Sequence, residues 1–299
     1  MSFSSDVKNE IIKNKLTKKC CINSTAYAIV CFSKYYDDKG LVLNTEQDFI
    51  AEFVENIFLK LGISGTIITK GTSNNPLYEF NIKQVEEIKK LQAMFKCSDK
   101  IDEDVLKCDF CIQSFISTAF LCIGTVTNPQ NEYNLEFVFN KKDLLLSYND
   151  FLVKHNLNFK YIKRKNSHVL YIKNSADLED ILTIMGADSF SFELMNLKIY
   201  KEYRNMANRV ANCETSNISK TINANQNTIK AIQYLQSKNA LSALSEELQE
   251  LAYIRLENPE STLLDLSKML KNPMSKSGLS HRLKKIERIA NDFKIKNEG

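Results

Sequence analysis

The chain has 299 residues, of which 43% are hydrophobic and 25% are charged, and its net charge is +4. That length is sufficient for two domains that each bury a core of their own. No apolar run approaches the roughly 20 residues that a bilayer crossing requires, and the N-terminus lacks the apolar centre of a signal peptide. The sequence therefore predicts a cytoplasmic protein without membrane contact.

The first two hundred residues predict the same unit twice. The first copy comprises a helix at 20–33, a strand at 40–45, a helix at 47–61, strands at 64–70 and 77–82, and a helix that ends at 95. The second comprises a helix at 108–123, a strand at 133–140, a helix at 141–155, strands at 158–165 and 168–173, and a helix at 176–185. Because the order of elements matches, we expect a pseudo-symmetric α+β domain with the paired first helices at its centre.

This layout resembles the LAGLIDADG homing-endonuclease fold, in which two such repeats form a saddle over DNA. In active members each central helix ends in an acid directly before a glycine, and the two acids hold the metal ions that activate water. Here Ile123 precedes Gly124 in the second copy, and the first copy has Ser33 at the helix end. Asp37 and Asp38 lie several residues beyond that end. The sequence therefore predicts a retained scaffold without catalytic residues.

Eight cysteines raise the question of a metal or of disulfides. They lie at positions 20, 21, 31, 97, 108, 111, 122 and 213, mostly within apolar helical patterns. Cys108 and Cys111 form a single CxxC motif, and no second pair follows at zinc-ligand spacing. The three histidines, at 155, 168 and 281, are remote from this motif in sequence. The sequence therefore predicts reduced, buried cysteines and neither a metal nor another cofactor.

A polar segment at 205–221 follows the duplicated region. It is compatible with a helix but rich in Asn, Ser and Thr, which are poor residues for a helix interior. One interpretation is a plain linker. The other is a surface that meets DNA phosphates through Arg204, Arg209 and Lys220. The second is consistent with six Lys or Arg against two glutamates between Lys198 and Lys230.

The last sixty residues predict an all-α domain. Helices are expected at about 244–256, at 261–271 and from 275 onward. In the third helix, Leu279, Leu283 and Ile286 recur at the spacing of one helical face. The connector at 271–273 has about the length of a helix-turn-helix bend. We therefore predict a helix-turn-helix motif from about Ser261 to Lys294.

The third helix is basic on the face opposite its apolar residues. From Met274 to Lys296 seven Lys or Arg accompany two acids, a net charge of +5, whereas the segment 242–261 has a net charge of −4. A helix that is apolar behind, polar in front and capped at its start by Ser275 or Ser277 suits the DNA major groove. The candidate DNA-binding residues are Ser275, Lys276, Ser277, Ser280, His281, Arg282, Lys284, Lys285 and Arg288.

These candidates divide by the part of DNA that each is expected to meet. The residues expected nearest the base edges are Lys276, Ser277, Ser280 and His281. The residues expected mainly at phosphates are Arg282, Lys284, Lys285 and Arg288. Two alternatives stay open: a solvated basic helix on a helical bundle, and a neutral His281 packed against the domain.

Motifs along the chain carry a family resemblance. They are Asn208-Arg209, Asn212-Cys213-Glu214, Asn217, Lys220-Thr221, Arg255-Leu256-Glu257-Asn258-Pro259, Ser275-Lys276-Ser277-Gly278 and His281-Arg282-Leu283, with the opening Ser2-Phe3-Ser4-Ser5-Asp6-Val7-Lys8 and the pair Cys20-Cys21. These motifs resemble those of the WhiA family of bacterial sporulation and cell-division regulators. The resemblance implies a catalytically inert LAGLIDADG-like domain joined to a helix-turn-helix. It also implies a DNA-binding protein tied to cell division and chromosome segregation, with transcription control in spore-forming relatives.

The expected organisation is a first LAGLIDADG-like repeat at 1–100, a second at 101–200, a polar helical linker at 201–235 and a helix-turn-helix domain at 236–299. Double-stranded DNA of the nucleoid is the expected partner, and a second regulatory protein is a further candidate. A metal-dependent LAGLIDADG endonuclease is the alternative function. The duplicated region either grips DNA as a saddle or binds a protein or small ligand. Its net acidity favours the second alternative, because an acidic region gains little from approaching phosphate.

Overall fold

The computed structural model describes residues 2–72, 75–96 and 98–298. The chain divides into two compact units, of which the first ends at Lys201 and the second begins at Glu202. The first unit combines helices and sheets, and the second is helical. Each unit has its own cluster of buried apolar residues, as the length of the chain predicts.

The first unit contains the predicted duplication. After a helix α1 (Phe3–Lys13), the first repeat consists of α2 (Lys19–Phe32), β1 (Tyr35–Asp37), β2 (Gly40–Thr45), α3 (Asp48–Lys60), β3 (Thr66–Thr72), β4 (Asn75–Ile82) and α4 (Val85–Met94). The second consists of α5 (Asp109–Ile123), β5 (Gly124–Val126), β6 (Leu135–Phe139), α6 (Lys142–Lys154), β7 (Lys160–Arg164), β8 (Ser167–Ile172) and α7 (Ser175–Ile184). Each repeat forms a four-stranded antiparallel sheet, in the orders β1-β2-β4-β3 and β5-β6-β8-β7. The matching topology confirms the predicted α+β duplication.

The alternating pattern of the strands places one face of each sheet in the core. In β6, Leu135, Phe137 and Phe139 are buried, and Phe137 lies opposite Leu170 of β8 in the strand register. Tyr148 of α6 packs on this face with its ring centroid 5.3 Å from that of Phe137. Alternate residues of an antiparallel strand point to opposite faces, so the other set forms an outer face.

The two first helices of the repeats pack against each other at the centre of the first unit. The rings of Tyr27 in α2 and Phe115 in α5 stack with centroids 5.7 Å apart. Nearer the start of the helices, the buried Ser24 hydroxyl donates a 2.6 Å hydrogen bond to the Cys111 carbonyl. The predicted central helix pair is confirmed.

Helix α1 and the strands β1 and β5 are among the elements of the first unit that the sequence did not predict. The strands β1 and β5 are only three residues long, too short to show an alternating pattern. Helix α1 begins where the Ser2 hydroxyl accepts a hydrogen bond from the Ser5 amide. It buries Val7 and Ile11 against the core, and the ammonium group of Lys8 donates to the carbonyl of Leu121 at 3.2 Å.

The helical unit is built around four helices. They are the last part of α8 (Asp188–Ser237), α9 (Glu246–Glu257), α10 (Leu263–Met269) and α11 (Lys276–Glu298). Its core includes Ile232 of α8, Leu251 of α9, Leu266 of α10 and Leu279 of α11. The three predicted helices are confirmed. The end of α8 is a fourth helix that packs into this core, and the sequence did not predict it. Within the part of the chain that the structure describes, no helix combines the length and hydropathy of a membrane span.

The predicted polar segment is helical and lies inside α8. Residues 202–220 are exposed throughout. The hydroxyl of Thr215 donates to the carbonyl of Ala211 at 2.8 Å, and that of Thr221 donates to the carbonyl of Asn217 at 2.9 Å. Such bonds to the carbonyl four residues earlier satisfy these two hydroxyls within the helix.

Candidate nucleic-acid interface

The helix-turn-helix is formed by α10 and α11, with α9 behind them. A capping box starts α10: the Thr262 hydroxyl accepts from the amide of Asp265, whose carboxylate accepts from the amide of Thr262. This arrangement satisfies two backbone donors at the helix start. The helix ends at Met269, and α11 begins at Lys276. The connection is therefore a few residues longer than the bend predicted at 271–273.

Buried polar groups hold that connection in place. The Ser267 hydroxyl, which is nearly buried, hydrogen bonds to the carbonyl of Met274 and accepts from the Met274 amide at 3.2 Å. The amide of Lys271 donates to the carboxylate of Glu250 in α9 at 2.9 Å. These bonds fix the direction in which α11 leaves the turn.

Arg255 of α9 is a second anchor, and its side chain is fully buried. Its guanidinium donates to the carbonyl of Ser261 at 2.8 Å, just before α10 begins. Burial lowers the pKa of Arg255 to about 10, because desolvation disfavours the charged form. Arg255 belongs to one of the family motifs, but its structural role could not be predicted, since arginine is rarely fully buried.

Helix α11 begins with a serine cap. The hydroxyl of Ser275 accepts a 3.2 Å hydrogen bond from the amide of Gly278, and the carbonyl of Ser275 accepts from the amide of Leu279 at 3.0 Å. Of the two caps that the sequence allows, the structure therefore uses Ser275. The hydroxyl of Ser277 lies 3.1 Å from that of Ser275 and is exposed.

The two faces of α11 are distinct. Its buried residues are Leu279, Leu283, Ile286 and Ala290, which are at most 5% exposed. At 3.6 residues per turn, the residues that point away from this stripe are Ser277, His281, Lys284, Lys285 and Arg288, and all five are exposed. We call these five residues the α11 outer face. Because His281 is exposed, the alternative in which it packs against the domain is wrong.

The remaining candidates flank the α11 outer face. Lys276 is exposed at the helix start and Ser280 is half-buried. Arg282 turns toward α9, where its guanidinium contacts the Glu247 carboxylate at 2.9 Å. Its positive charge is therefore already neutralised by an acid of the same unit.

The candidate phosphate contacts outside the motif lie on α8. Arg204, Arg209 and Lys220 are all exposed. Arg209 and Lys220 are eleven residues apart, close to three full turns, so they share one face of the helix, and Arg204 lies on another. Among the described residues no ion pair involves any of the three.

The other candidate region is the place where a LAGLIDADG nuclease has its metal-binding acids. Ser33 and Ile123, at the ends of the two central helices, line a cavity of about 600 Å³. Two carboxylates also line it: Asp37, whose oxygen accepts from the amide of Lys39 at 2.8 Å, and Asp99, which forms an ion pair with Lys141 at 2.9 Å. Neither carboxylate comes from a helix end, so the paired acids of the nucleases are absent from these positions.

The cysteines require a correction. The sulfur atoms of Cys20, Cys21, Cys108 and Cys111 all lie within 4.8 Å of one another. The CxxC motif therefore does have a second pair, which sequence spacing could not reveal because it comes from the other repeat. Cys21 and Cys111 are buried as predicted, whereas Cys213 is exposed. The described cysteines are free thiols, and Cys97 lies outside the described residues.

The fold and the site together define a class of protein. It has a duplicated α+β scaffold of the LAGLIDADG type without the paired acids of the nucleases. It also has a separate helical unit in which a serine-capped, basic helix follows a helix-turn-helix connection.

Comparison with known proteins gives the family. The profile of the WhiA C-terminal HTH domain matches residues 207–290, and that of the WhiA LAGLIDADG-like domain matches residues 112–204. A Clostridium botulinum relative named "Probable cell division protein WhiA" is 35% identical over 98% of this chain and 99% of its own. A Clostridium acetobutylicum relative of the same name is 37% identical over the whole of both chains. The crystal structure of full-length DUF199/WhiA from Thermotoga maritima has a TM-score of 0.62 at 23% identity and covers 98% of this chain and 99% of that one. The chain belongs to the WhiA family.

Proposed function

We propose that the protein is a non-enzymatic, sequence-specific DNA-binding protein that contacts double-stranded DNA through α11. The α11 outer face carries this proposal. Lys284, Lys285 and Arg288 are exposed there and, within the described residues, form no ion pair. Each can therefore neutralise a DNA phosphate without first leaving a carboxylate, and the release of counterions from DNA then favours binding.

The order of residues along α11 assigns their roles. The N-terminal part of a recognition helix approaches base edges in the major groove. Ser277 and His281 lie on the α11 outer face in the first two turns, so we assign them to base edges. Ser275 and Lys276 lie at the positive end of the helix, which suits an adjacent phosphate. Ser280, half-buried at the edge of the face, is a secondary candidate.

The cellular part of the proposal follows from the family. The relatives are named for cell division, and we extend that role to this chain. Within it, the protein would regulate transcription and contribute to chromosome segregation from the cytoplasmic nucleoid, and to sporulation in a spore-forming host. The LAGLIDADG-like unit, predicted as repeats at 1–100 and 101–200, would serve as a scaffold that also offers a surface to a second regulatory protein.

A binding titration tests the DNA contact. A duplex is first selected from a random-sequence pool by the full-length protein, and its affinity is then measured by fluorescence anisotropy at several salt concentrations. Lys284→Ala/Lys285→Ala is expected to weaken binding and to lower the salt-dependence slope by about two, since each lost phosphate contact removes about 0.9. The matched control is Lys60→Ala/Lys89→Ala, which removes two exposed lysines from α3 and α4.

Two results would contradict the proposal. One is a selection that enriches no duplex. The other is a salt slope that stays unchanged in Lys284→Ala/Lys285→Ala, because these lysines would then make no phosphate contact.

The additional contacts on α8 form a separate and smaller part of the proposal. Arg209 and Lys220 share one exposed face, whereas Arg204 does not. Arg209→Ala/Lys220→Ala is therefore expected to lower the slope further when it is added to the α11 variant, and Arg204→Ala is not. An additive slope change from Arg204→Ala alone would reverse this assignment.

The non-enzymatic part of the proposal has its own test. Supercoiled plasmid is incubated with the full-length protein and Mg²⁺ or Mn²⁺, and a chelator is added to a parallel sample. We expect no nicking above the chelator control, because Ser33 and Ile123 supply no carboxylate to hold the metal ions. Metal-dependent nicking would support the endonuclease alternative.

A further inference from the structure

Four cysteines meet at the start of the two central helices. Cys20 and Cys21 lie in the first turn of α2, which begins at Lys19. Cys108 is the residue before α5, and Cys111 lies in its first turn. The two helices pack side by side, so the pseudo-symmetry brings these two pairs together although 88 residues separate Cys20 from Cys108.

The distances between the sulfur atoms match one coordination geometry. The Sγ–Sγ distance is 3.9 Å from Cys20 to Cys108, 3.5 Å from Cys108 to Cys111 and 3.9 Å from Cys111 to Cys21. All four sulfur atoms lie within 4.8 Å of one another. With Zn–S bonds of about 2.3 Å, a tetrahedral tetrathiolate site has sulfur atoms about 3.8 Å apart. These three distances are thus close to that spacing, and no other pair of the four sulfur atoms is more than 4.8 Å apart.

We propose that these four cysteines bind a single zinc ion as thiolates and that this ion joins the first turns of the two repeats. A tetrahedral set of four sulfur ligands selects zinc or iron among the common metals. With no two sulfur atoms more than 4.8 Å apart, the four are too close together to hold an iron–sulfur cluster. The sequence expectation of no metal is therefore replaced by a specific site.

Ordinary core packing does not account for this arrangement. Cys31 and Cys122 lie on the same two helices, at the opposite ends, and the set of mutually close sulfur atoms does not include them. Buried cysteines that act as small apolar side chains have no reason to converge on one point. A disulfide does not account for it either, because the bonded distance is about 2.05 Å and four sulfur atoms stay close at once.

The surroundings suit a charged metal site that can be loaded from solvent. Cys21 lines a cavity of about 550 Å³, and Cys20 and Cys108 are only half-buried. Lysines directly precede both pairs, at Lys19 and Lys107. Four thiolates and one divalent ion leave two net negative charges, and positively charged residues next to the cysteines in sequence suit such a group.

The site would be structural. Four protein ligands fill the coordination sphere of zinc and leave no position for water or substrate. Because two ligands come from each repeat, the ion would link the two halves of the duplicated unit. Its binding free energy would therefore add to the stability of the first unit. This inference does not depend on DNA binding by α11, and the two can fail separately.

Metal analysis of the full-length protein tests the proposal. The protein is purified without a histidine tag, chelator or oxygen, and its zinc and iron are measured by mass spectrometry. We expect about one zinc per chain in the wild type and less than about a tenth in Cys20→Ser/Cys108→Ser. The matched control is Cys213→Ser, which removes an exposed cysteine on α8 and is expected to retain the ion.

A second measurement tests for the metal site in the wild-type protein, in case the double variant fails to fold. Zinc is removed from the wild type and replaced by Co²⁺, whose visible and thiolate charge-transfer bands report tetrahedral coordination by sulfur. The bands should saturate at about one ion per chain, and zinc should displace them. No such bands, iron in place of zinc, or a disulfide within the four cysteines of the anaerobically purified protein would overturn the proposal.

Discussion

Two basic residues on the outer faces of the sheets, Lys70 and Arg164, form ion pairs that the basic residues of the α11 outer face do not form among the described residues. On the sheets, Lys70 is 2.7 Å from Glu79, and the guanidinium of Arg164 donates two hydrogen bonds of 2.6 and 2.7 Å to Glu136. On α11, Lys284 and Lys285 are exposed and have no ion-pair partner among the described residues. A cation that must leave a carboxylate before it meets a phosphate gains little from the exchange. The partner of a basic residue, more than its presence, therefore decides whether that residue is free to meet a phosphate.

The first unit has the fold of a nuclease family without the acids of its catalytic centre. The first unit keeps the paired central helices and the two sheets of a LAGLIDADG scaffold, and it has Ser33 and Ile123 where the nucleases have acids. A fold persists when its core is retained, whereas a catalytic centre is lost with two side chains. In the helical unit, α11 contributes both to the shared core and to the exposed α11 outer face, so a change in this helix affects both.

The largest expected effect concerns base recognition. Ser277→Ala/His281→Ala should weaken binding to the selected duplex by at least about 30-fold, because each of the two lost base contacts is worth about 1–3 kcal/mol. Binding to random duplex should stay nearly constant, since phosphate contacts carry it. Anisotropy with both duplexes separates the two cases. Equal losses on both duplexes would mean that these residues do not read sequence.

The next effect concerns Glu136, the carboxylate that pairs with Arg164 on the outer face of its sheet. The hydrogen bonds from Arg164 lower the pKa of Glu136, although burial opposes the shift. A carboxyl whose pKa is lower in the folded state contributes stability above its unfolded pKa and loses it as the pH falls through the folded pKa.

Between about pH 6 and pH 3, the wild type should therefore lose about 1 kcal/mol more free energy of unfolding than Glu136→Gln. The difference is small because the Arg164 side chain is 50% exposed and solvent screens its interaction with Glu136. Urea denaturation measures it, with Glu103→Gln, which breaks the exposed pair with Lys154, as the control. Identical pH profiles for wild type and Glu136→Gln would show that the pair adds no stability.

A smaller effect is expected where α11 has its own neutralised cation. Glu247→Gln would release Arg282 and remove one acid beside the α11 outer face. We expect DNA affinity to rise about two- to threefold at low salt and the gain to shrink as salt screens it. Glu257→Gln, which makes the same charge change on exposed α9 surface, is the control. An equal gain in both variants would assign the effect to net charge alone.

The smallest expected effect concerns the paired cations on the outer faces of the sheets. Lys70→Ala/Arg164→Ala removes the two paired cations from the outer faces of the sheets. DNA affinity and salt slope should change by less than about a factor of two, at a temperature where the variant stays folded. A slope that falls by about two would mean that the first unit grips DNA as a saddle.

Periodic segments explain why much of this fold could be predicted. Leu135, Phe137 and Phe139 alternate, and Leu279, Leu283 and Ile286 recur at helical spacing, so β6 and α11 follow from local pattern. The full length of α8 does not, because its polar middle resembles a linker until the Thr215 and Thr221 side chains are seen to bond within the helix.

The site could be predicted only in part for a related reason. The α11 outer face is a property of one helix and is visible in the sequence. The pairing of Arg282 with Glu247 and the meeting of Cys20 with Cys108 are contacts between distant segments. Nothing in the local sequence reports them. The duplication predicted that the first helices pair, and the position of a cysteine pair at the start of each was the signal that could have indicated a shared site.

We propose that α11 determines where the protein binds DNA. The most direct test maps bound DNA across the genome of the host, with wild-type protein and Lys284→Ala/Lys285→Ala produced at equal levels. We predict discrete binding sites that share a sequence motif in the wild type and that disappear in the variant. The same sites, occupied to the same extent by the variant, would contradict the account.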